Sequence, residues 1–137
     1  MSAFLSPVQD AIYNRLVATI SSAQIFDDVP GLPEGKPNSD FPYIVIGEDT
    51  GRPWDTDDVL GSQVFISLHV WSRYAGKKEV KAIMRDCYDA LNRQASNLSA
   101  PGFRFVDCLF DFAEVFDEID GVTRHGVCRF KLTVEKE

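Results

Sequence analysis

From Gln63 to Trp71 the side chains alternate without interruption: Val64, Ile66, Leu68 and Val70 fall on one side, and Gln63, Phe65, Ser67, His69 and Trp71 on the other. A period of two is the signature of a strand with one apolar face, so the chain must build a sheet and bury one side of it. Two segments with helical spacing supply the cover. Ser6 as N-cap and Pro7 at the first helical position open a helix in which Val8, Ala11, Ile12, Leu16 (with Val17) and Ile20 recur at helical spacing to about Ser22. A second helix, from Lys77 to about Ala95, carries an apolar stripe of Val80, Ile83, Met84, Cys87, Tyr88 and Leu91 and a wet side of Lys77, Lys78, Lys81, Arg85 and Arg93.

The remaining strands are read from shorter signals. Gln24 to Asp28 is a short apolar segment, and Val29 to Asp40 is a loop because it holds three prolines and two glycines. Tyr43 to Gly47 is a β-branched run that reads as a strand buried on both faces. Glu48 to Gly61 is polar and acidic around Trp54, and reads as a long loop. The last third reads as a hairpin. A three-residue connection, Ile119-Asp120-Gly121 with Gly121 left-handed, pairs Phe112 with Cys128, Phe110 with Phe130 and Cys108 with Leu132, which puts the apolar residues of both strands on one face. The expectation is an α+β fold in a single domain spanning residues 1–137. It has a mainly antiparallel sheet of about five strands, two helices packed on one face, and a C-terminal β-hairpin.

Composition limits the function classes. With 137 residues, 45% of them hydrophobic, the chain suffices for one compact core. Its longest apolar run, Tyr43 to Ile46, is far below the ~20 residues of a membrane span, and the first residues lack the basic start and apolar run of a signal peptide. A soluble protein made in the cytoplasm is expected. Cys87, Cys108 and Cys128 form no CxxC pair and are read as reduced, partly buried thiols. The 14 basic against 21 acidic side chains, net −7, argue against general nucleic-acid binding. The charge is also segregated: residues 1–60 carry −7, residues 61–100 carry +3 and residues 101–137 carry −3. Such polarity suits docking of one copy against another.

No catalytic constellation emerges. Gly31 to Pro37 imitates a phosphate loop, but the glycines are one residue too close and Pro37 stands where a Ser or Thr would hold the metal. Asp55, Asp57 and Asp58 fail as a calcium loop, because Leu60 replaces the glycine and Ile66 the bidentate Glu. His69 and His125 each lack a second ligand at metal spacing on their own elements. Asn97-Leu98-Ser99 has no meaning as a glycosylation site without export. The aromatics stand out instead: Trp54 lies in a polar segment, and Trp71 and Tyr74 precede a basic helix. Tryptophan is a favoured interface anchor, although both indoles would also suit the domain's own core.

The order of Phe41-Pro42-Tyr43-Ile44-Val45-Ile46-Gly47, Trp54, Val70-Trp71-Ser72, the helix ending Asp89-Ala90-Leu91, and Asp120-Gly121-Val122-Thr123-Arg124-His125-Gly126 resembles a known family. These are the small tail-completion, or tail-terminator and head-tail joining, proteins of long-tailed phages, prophages and gene-transfer agents. The resemblance spans the first helix to Val134. It implies a structural virion protein of the tail or neck, made in the host bacterial cytoplasm, with no catalytic residues, cofactor or metal. It also implies a homo-oligomeric ring, usually of six subunits, that caps the tail tube, stops its polymerisation and joins the tail to the head connector. DNA would pass through without specific binding, and no membrane is involved. The expected interface residues are Trp54, Asp55, Asp57 and Asp58 on one surface and Trp71, Tyr74, Lys77, Lys78 and Lys81 on the other. Two readings stand against it. One is a small divalent-metal-dependent enzyme with Asp55, Asp57 and Asp58 as ligands and His69 or His125 as base. The other is a monomeric phage or bacterial adaptor.

Overall fold

The computed structural model describes residues 2–27 and 41–137. Among them the order is a 3-10 turn (Ser2–Phe4), α1 (Leu5–Thr19), β1 (Gln24–Phe26), β2 (Tyr43–Pro53), β3 (Gly61–Ser72), α2 (Lys78–Leu91), a second 3-10 turn (Ala95–Asn97), β4 (Phe103–Asp117) and β5 (Arg124–Lys136). The strands form one sheet in the order β1-β2-β3-β5-β4. Only β1 and β2 run parallel; β2–β3, β3–β5 and β5–β4 are antiparallel, as expected from the alternation and the hairpin. The expected loop at 29–40 and the phosphate-loop imitation within it lie outside the described residues.

The alternation in residues 63–71 decides where the core sits. Val64, Ile66, Leu68 and Val70 are all fully buried; in the β3–β5 register the first three stand opposite Leu132, Phe130 and Cys128, and Val70 stands opposite Gly126. Val8, Ile12 and Leu16 of α1, and Val80, Ile83, Cys87 and Leu91 of α2, close this face into a single cluster. At roughly 1.5–3 kcal/mol for each such side chain, this layer is the main attraction that offsets chain entropy. The two helices are tied by Arg15 Nε donating to the Ala90 carbonyl at 2.9 Å. The three cysteines are free and buried, and desolvation pushes the Cys108 and Cys128 thiols up to about 12 and raises Cys87 as well.

Several boundaries differ from expectation. Ser6 is not the N-cap: the 3-10 turn carries the helix start back to Leu5, with no side-chain cap bond, and Pro7 sits in the first turn, where its missing N–H costs nothing. α2 stops at Leu91 instead of Ala95, because Asn92 is extended and Arg93 takes the left-handed conformation at φ 60°. These two residues then bond to β4: Arg93 N–H donates to the Cys108 carbonyl at 2.7 Å, and the Asn92 side chain accepts from Phe110 N–H at 2.9 Å.

The polar segment after Gly47 is not all loop. A bulge between Ile46 and Asp49 lets β2 continue to Pro53, pairing Thr50 with Phe65 and Arg52 with Gln63. In the hairpin, Phe110–Phe130 and Cys108–Leu132 pair as expected, but a bulge at Asp111 places Phe112 opposite Arg129 and gives Cys128 to Ala113. The connection is longer than three residues, running from Glu118 to Thr123, with Gly121 left-handed at φ 72°.

Candidate functional site

The β2–β3 connection forms one end of the sheet. Trp54 N–H bonds to the Gly61 carbonyl at 2.9 Å, and Asp55 accepts from Gly61 N–H at 2.9 Å, so Asp55 helps shape the turn. Trp54 lies against Gly61, where a Cβ would collide with the Trp54 carbonyl and press on its ring. The indole is still 38% exposed, and Leu60 beside it 57%. Asp57 and Asp58 are exposed. This end is acidic with an apolar centre.

The opposite end holds the second group. Tyr74, Lys77, Lys78 and Lys81 are exposed there, and Tyr74 N–H is held by Ser72 Oγ at 3.1 Å, which itself donates to Glu79 at 2.7 Å. Lys77, just before α2, and Lys81 and Met84 within it meet Ala113, Glu114 and Val115 of β4 across an open groove of about 440 Å³. Ten strand steps from Gly61 to Trp71, at about 3.3 Å each, set the two groups roughly 33 Å apart. The sequence-predicted residues thus assemble into two surfaces at opposite ends of β3. A larger cavity of about 530 Å³, between the start of α1 and Ser99–Pro101, contains none of them.

Trp71 departs from its companions. Its ring stacks on His125 with centroids 3.8 Å apart and planes 12° apart, and Phe116 meets the same imidazole edge-on at 4.5 Å. His69 Nδ1 lies 2.7 Å from His125 Nε2, and His69 Nε2 lies 2.8 Å from Glu48 Oε1. Glu118 approaches the far side of His125, Oε2 to Nδ1 at 3.8 Å. Burial, then the His69 charge, pulls His125 down to about 4, and the bond to His69 holds the Glu48 carboxyl below its ordinary range. Read singly, the two histidines gave no site; the signal lay in the β3–β5 register, which sets Trp71 opposite His125 and so brings His69 diagonally close.

Among the described residues, no group of three or more His, Cys, Asp or Glu side chains is placed to hold a metal ion, and no helix is long and apolar enough to cross a membrane. The hairpin connection is organised by Asp120, whose carboxylate accepts from Thr123 Oγ1 at 2.6 Å, Thr123 N–H at 2.8 Å and Val122 N–H at 2.9 Å. The hydroxyl bond first, then the two amides, lower its pKa to about 2.

Comparisons with known proteins agree with this architecture. The chain is 28% identical over 126 residues to the tail completion protein gp17 of Bacillus phage SPP1, covering 90% of this chain and 92% of that one. It superposes with a TM-score of 0.77 on a chain in the virion of a native gene transfer agent particle, at 23% identity, over 93% of this chain and 94% of the other, so the two share a fold. The profile of the family described as "Tail completion protein gp17" matches residues 10–135, from within α1 to near the end of β5 and across both end surfaces: the chain belongs to the gp17 tail completion family.

Proposed function

We propose that this chain is a structural subunit of a phage tail that assembles into a ring, most simply of six copies, on the end of the tail tube. There it halts tube growth and joins the tail to the head connector. The observation that carries the reading is the pair of unlike surfaces at opposite ends of β3, one acidic around Trp54 and one basic around Tyr74. A head-to-tail interface needs two different patches on each subunit, and the rotation between neighbours then decides closure. Asp55, Asp57 and Asp58 of one copy would face Lys77, Lys78 and Lys81 of the next. Trp54 and Tyr74 supply apolar area that loses water, while Trp71 supports its end of the sheet through His125. Membership of the tail completion family and the fold shared with a virion component support the same role.

The net charge of −7 fits a conduit for DNA, since an acidic wall repels phosphates and lets the duplex slide. The test measures particle mass by light scattering, for the chain alone and with tail tubes. Wild type should reach a ring mass in at least one of these conditions. Trp54→Ala, and the joint reversal of Lys77, Lys78 and Lys81 to Glu, should reduce that mass while the monomer keeps its circular dichroism. An oligomer mass unchanged in both variants, or a wild type monomeric in both conditions, would overturn the reading.

A further inference from the structure

Glu48, His69, His125 and Glu118 form a line that crosses β2, β3, β5 and the β4–β5 connection, with spacings of 2.8, 2.7 and 3.8 Å. Proton counting restricts what this line can hold. With both imidazoles neutral, His69 Nε2–H donates to Glu48, and the bare His69 Nδ1 accepts from His125 Nε2–H. That leaves the bare His125 Nδ1 facing the Glu118 carboxylate. One added proton reverses the order: His69 becomes the cation and donates both to Glu48 and to His125 Nε2, and His125 Nδ1–H now points at Glu118. Every nitrogen then has a complementary partner. A second added proton would set N–H against N–H across the 2.7 Å gap, which the geometry cannot accommodate.

We propose that His69 and His125 are a shared-proton site that clasps the β4–β5 tip to the β2 side of the sheet, and that uptake of a second proton parts the rings and releases the tip. The tip is worth controlling, because it carries Ile119, fully exposed, and Val122, half exposed. Trp71 reports on the clasp, since its stacking partner is one of the two rings.

The surrounding charges are accounted for. From β2 comes Glu48, and Tyr43 stands opposite Trp71 in the register. Asp117 of β4 pairs with Arg124 of β5 at 3.2 Å, next to His125 in sequence. The connection brings Glu118 and the Asp120–Thr123 turn, to which Arg73 donates at 3.2 Å from the β3–α2 segment. Acidic groups flank both ends of the pair. The buried imidazole in the middle, with a cation already beside it, disfavours the second proton, as its value of about 4 reflects.

The test uses the full chain with Trp54→Phe, so that emission reports Trp71 alone. Histidine side-chain nitrogen shifts, Trp71 emission and exchange protection of the Glu118 amide, which closes the tip on the Thr123 carbonyl, are followed from pH 7.5 to 3.5. The expected result is two separated histidine steps, the second at about 4, where Trp71 emission changes and tip protection falls about tenfold or more. His125→Gln should abolish that second step and flatten the emission curve. Should that variant fail to fold, Glu48→Gln, at an exposed side chain, should move the first step to lower pH. Independent titration of both rings near 6.5, a second step without change in Trp71 or the tip, an emission step persisting in His125→Gln, or an unmoved first step in Glu48→Gln would each overturn the proposal.

Discussion

α2 packs tightly on the sheet at Gly126, and a single methyl group there tests the packing. A Cβ on Gly126 would lie 2.5 Å from Met84 Sδ, 3.0 Å from Val80 Cγ2 and 3.1 Å from Met84 Cγ. Val80 is fully buried and Met84 8% exposed, so neither has open space to retreat into, although the thioether can rotate. Forcing one methylene-sized group into a packed layer costs about 1–3 kcal/mol, and a chain of this length loses roughly 3–4 °C of Tm per kcal/mol, so Gly126→Ala should lower Tm by about 3–12 °C. Met84→Ala alone removes a buried side chain at the core margin and should cost about 2 kcal/mol.

The double variant is the informative one. The alanine methyl at 126 occupies part of the space that Met84 vacates, so the two costs should fall short of their sum by about 1 kcal/mol or more. Urea unfolding followed by circular dichroism gives all four free energies, with an unchanged m-value confirming that the unfolded state is comparable. Additivity within about 0.5 kcal/mol, or a neutral Gly126→Ala, would refute the claim that α2 is seated through this contact.

Other expectations follow from single features. Phe130, fully buried in the centre of β5, should cost about 3–5 kcal/mol on truncation to Ala, read from chemical denaturation. Asn92→Ala removes the acceptor for Phe110 N–H at the outer strand and should cost about 1 kcal/mol, with faster amide exchange confined to the middle of β4. Cys87, Cys108 and Cys128 should resist a thiol reagent at pH 8 in the native state and react once the chain is unfolded in denaturant. The Asp120 carboxyl is lowered from 3.8 to about 2, so its support for the hairpin connection is complete above 3.8 and is lost as pH falls through 2; protection of the Thr123 amide should decline over that window.

Period and burial were legible wherever one face of an element meets the core. The alternation of residues 63–71 named four of the fully buried side chains, and the apolar stripes of both helices named seven more. What escaped were features set by pairing. Residues 48–53 look like a loop because a strand near the sheet's margin needs no alternation of apolar side chains; only the bulge after Ile46 and the β3 register make it a strand. The bulge at Asp111 turns Phe112 to the other face, a change of one residue that no hydrophobic pattern encodes. Likewise the two end surfaces were legible as charge blocks, whereas the His69–His125 contact joins residues whose proximity exists only once β3 and β5 are in register.

The placement of the two end surfaces follows from how the sheet spends its other boundaries. Both helices cover one face, and on the other face Trp71 stacks on His125 and Phe116 meets that imidazole edge-on, while Phe65 lies under the Arg129 guanidinium at 4.6 Å. The outer edge at β4 would be a template for uncontrolled strand addition, but its middle is occupied by Asn92 and Arg93, which take up the Phe110 N–H and the Cys108 carbonyl. Charge adds a second barrier along that strand, where Asp111 and Asp117 are held by Arg129 and Arg124 of β5. Sheet extension is therefore discouraged where it would be least specific. The strand ends, by contrast, carry exposed Trp54 and Tyr74 within charges of opposite sign, so the proposed contacts between copies would be directional there, and a subunit that had used one end would still present the other.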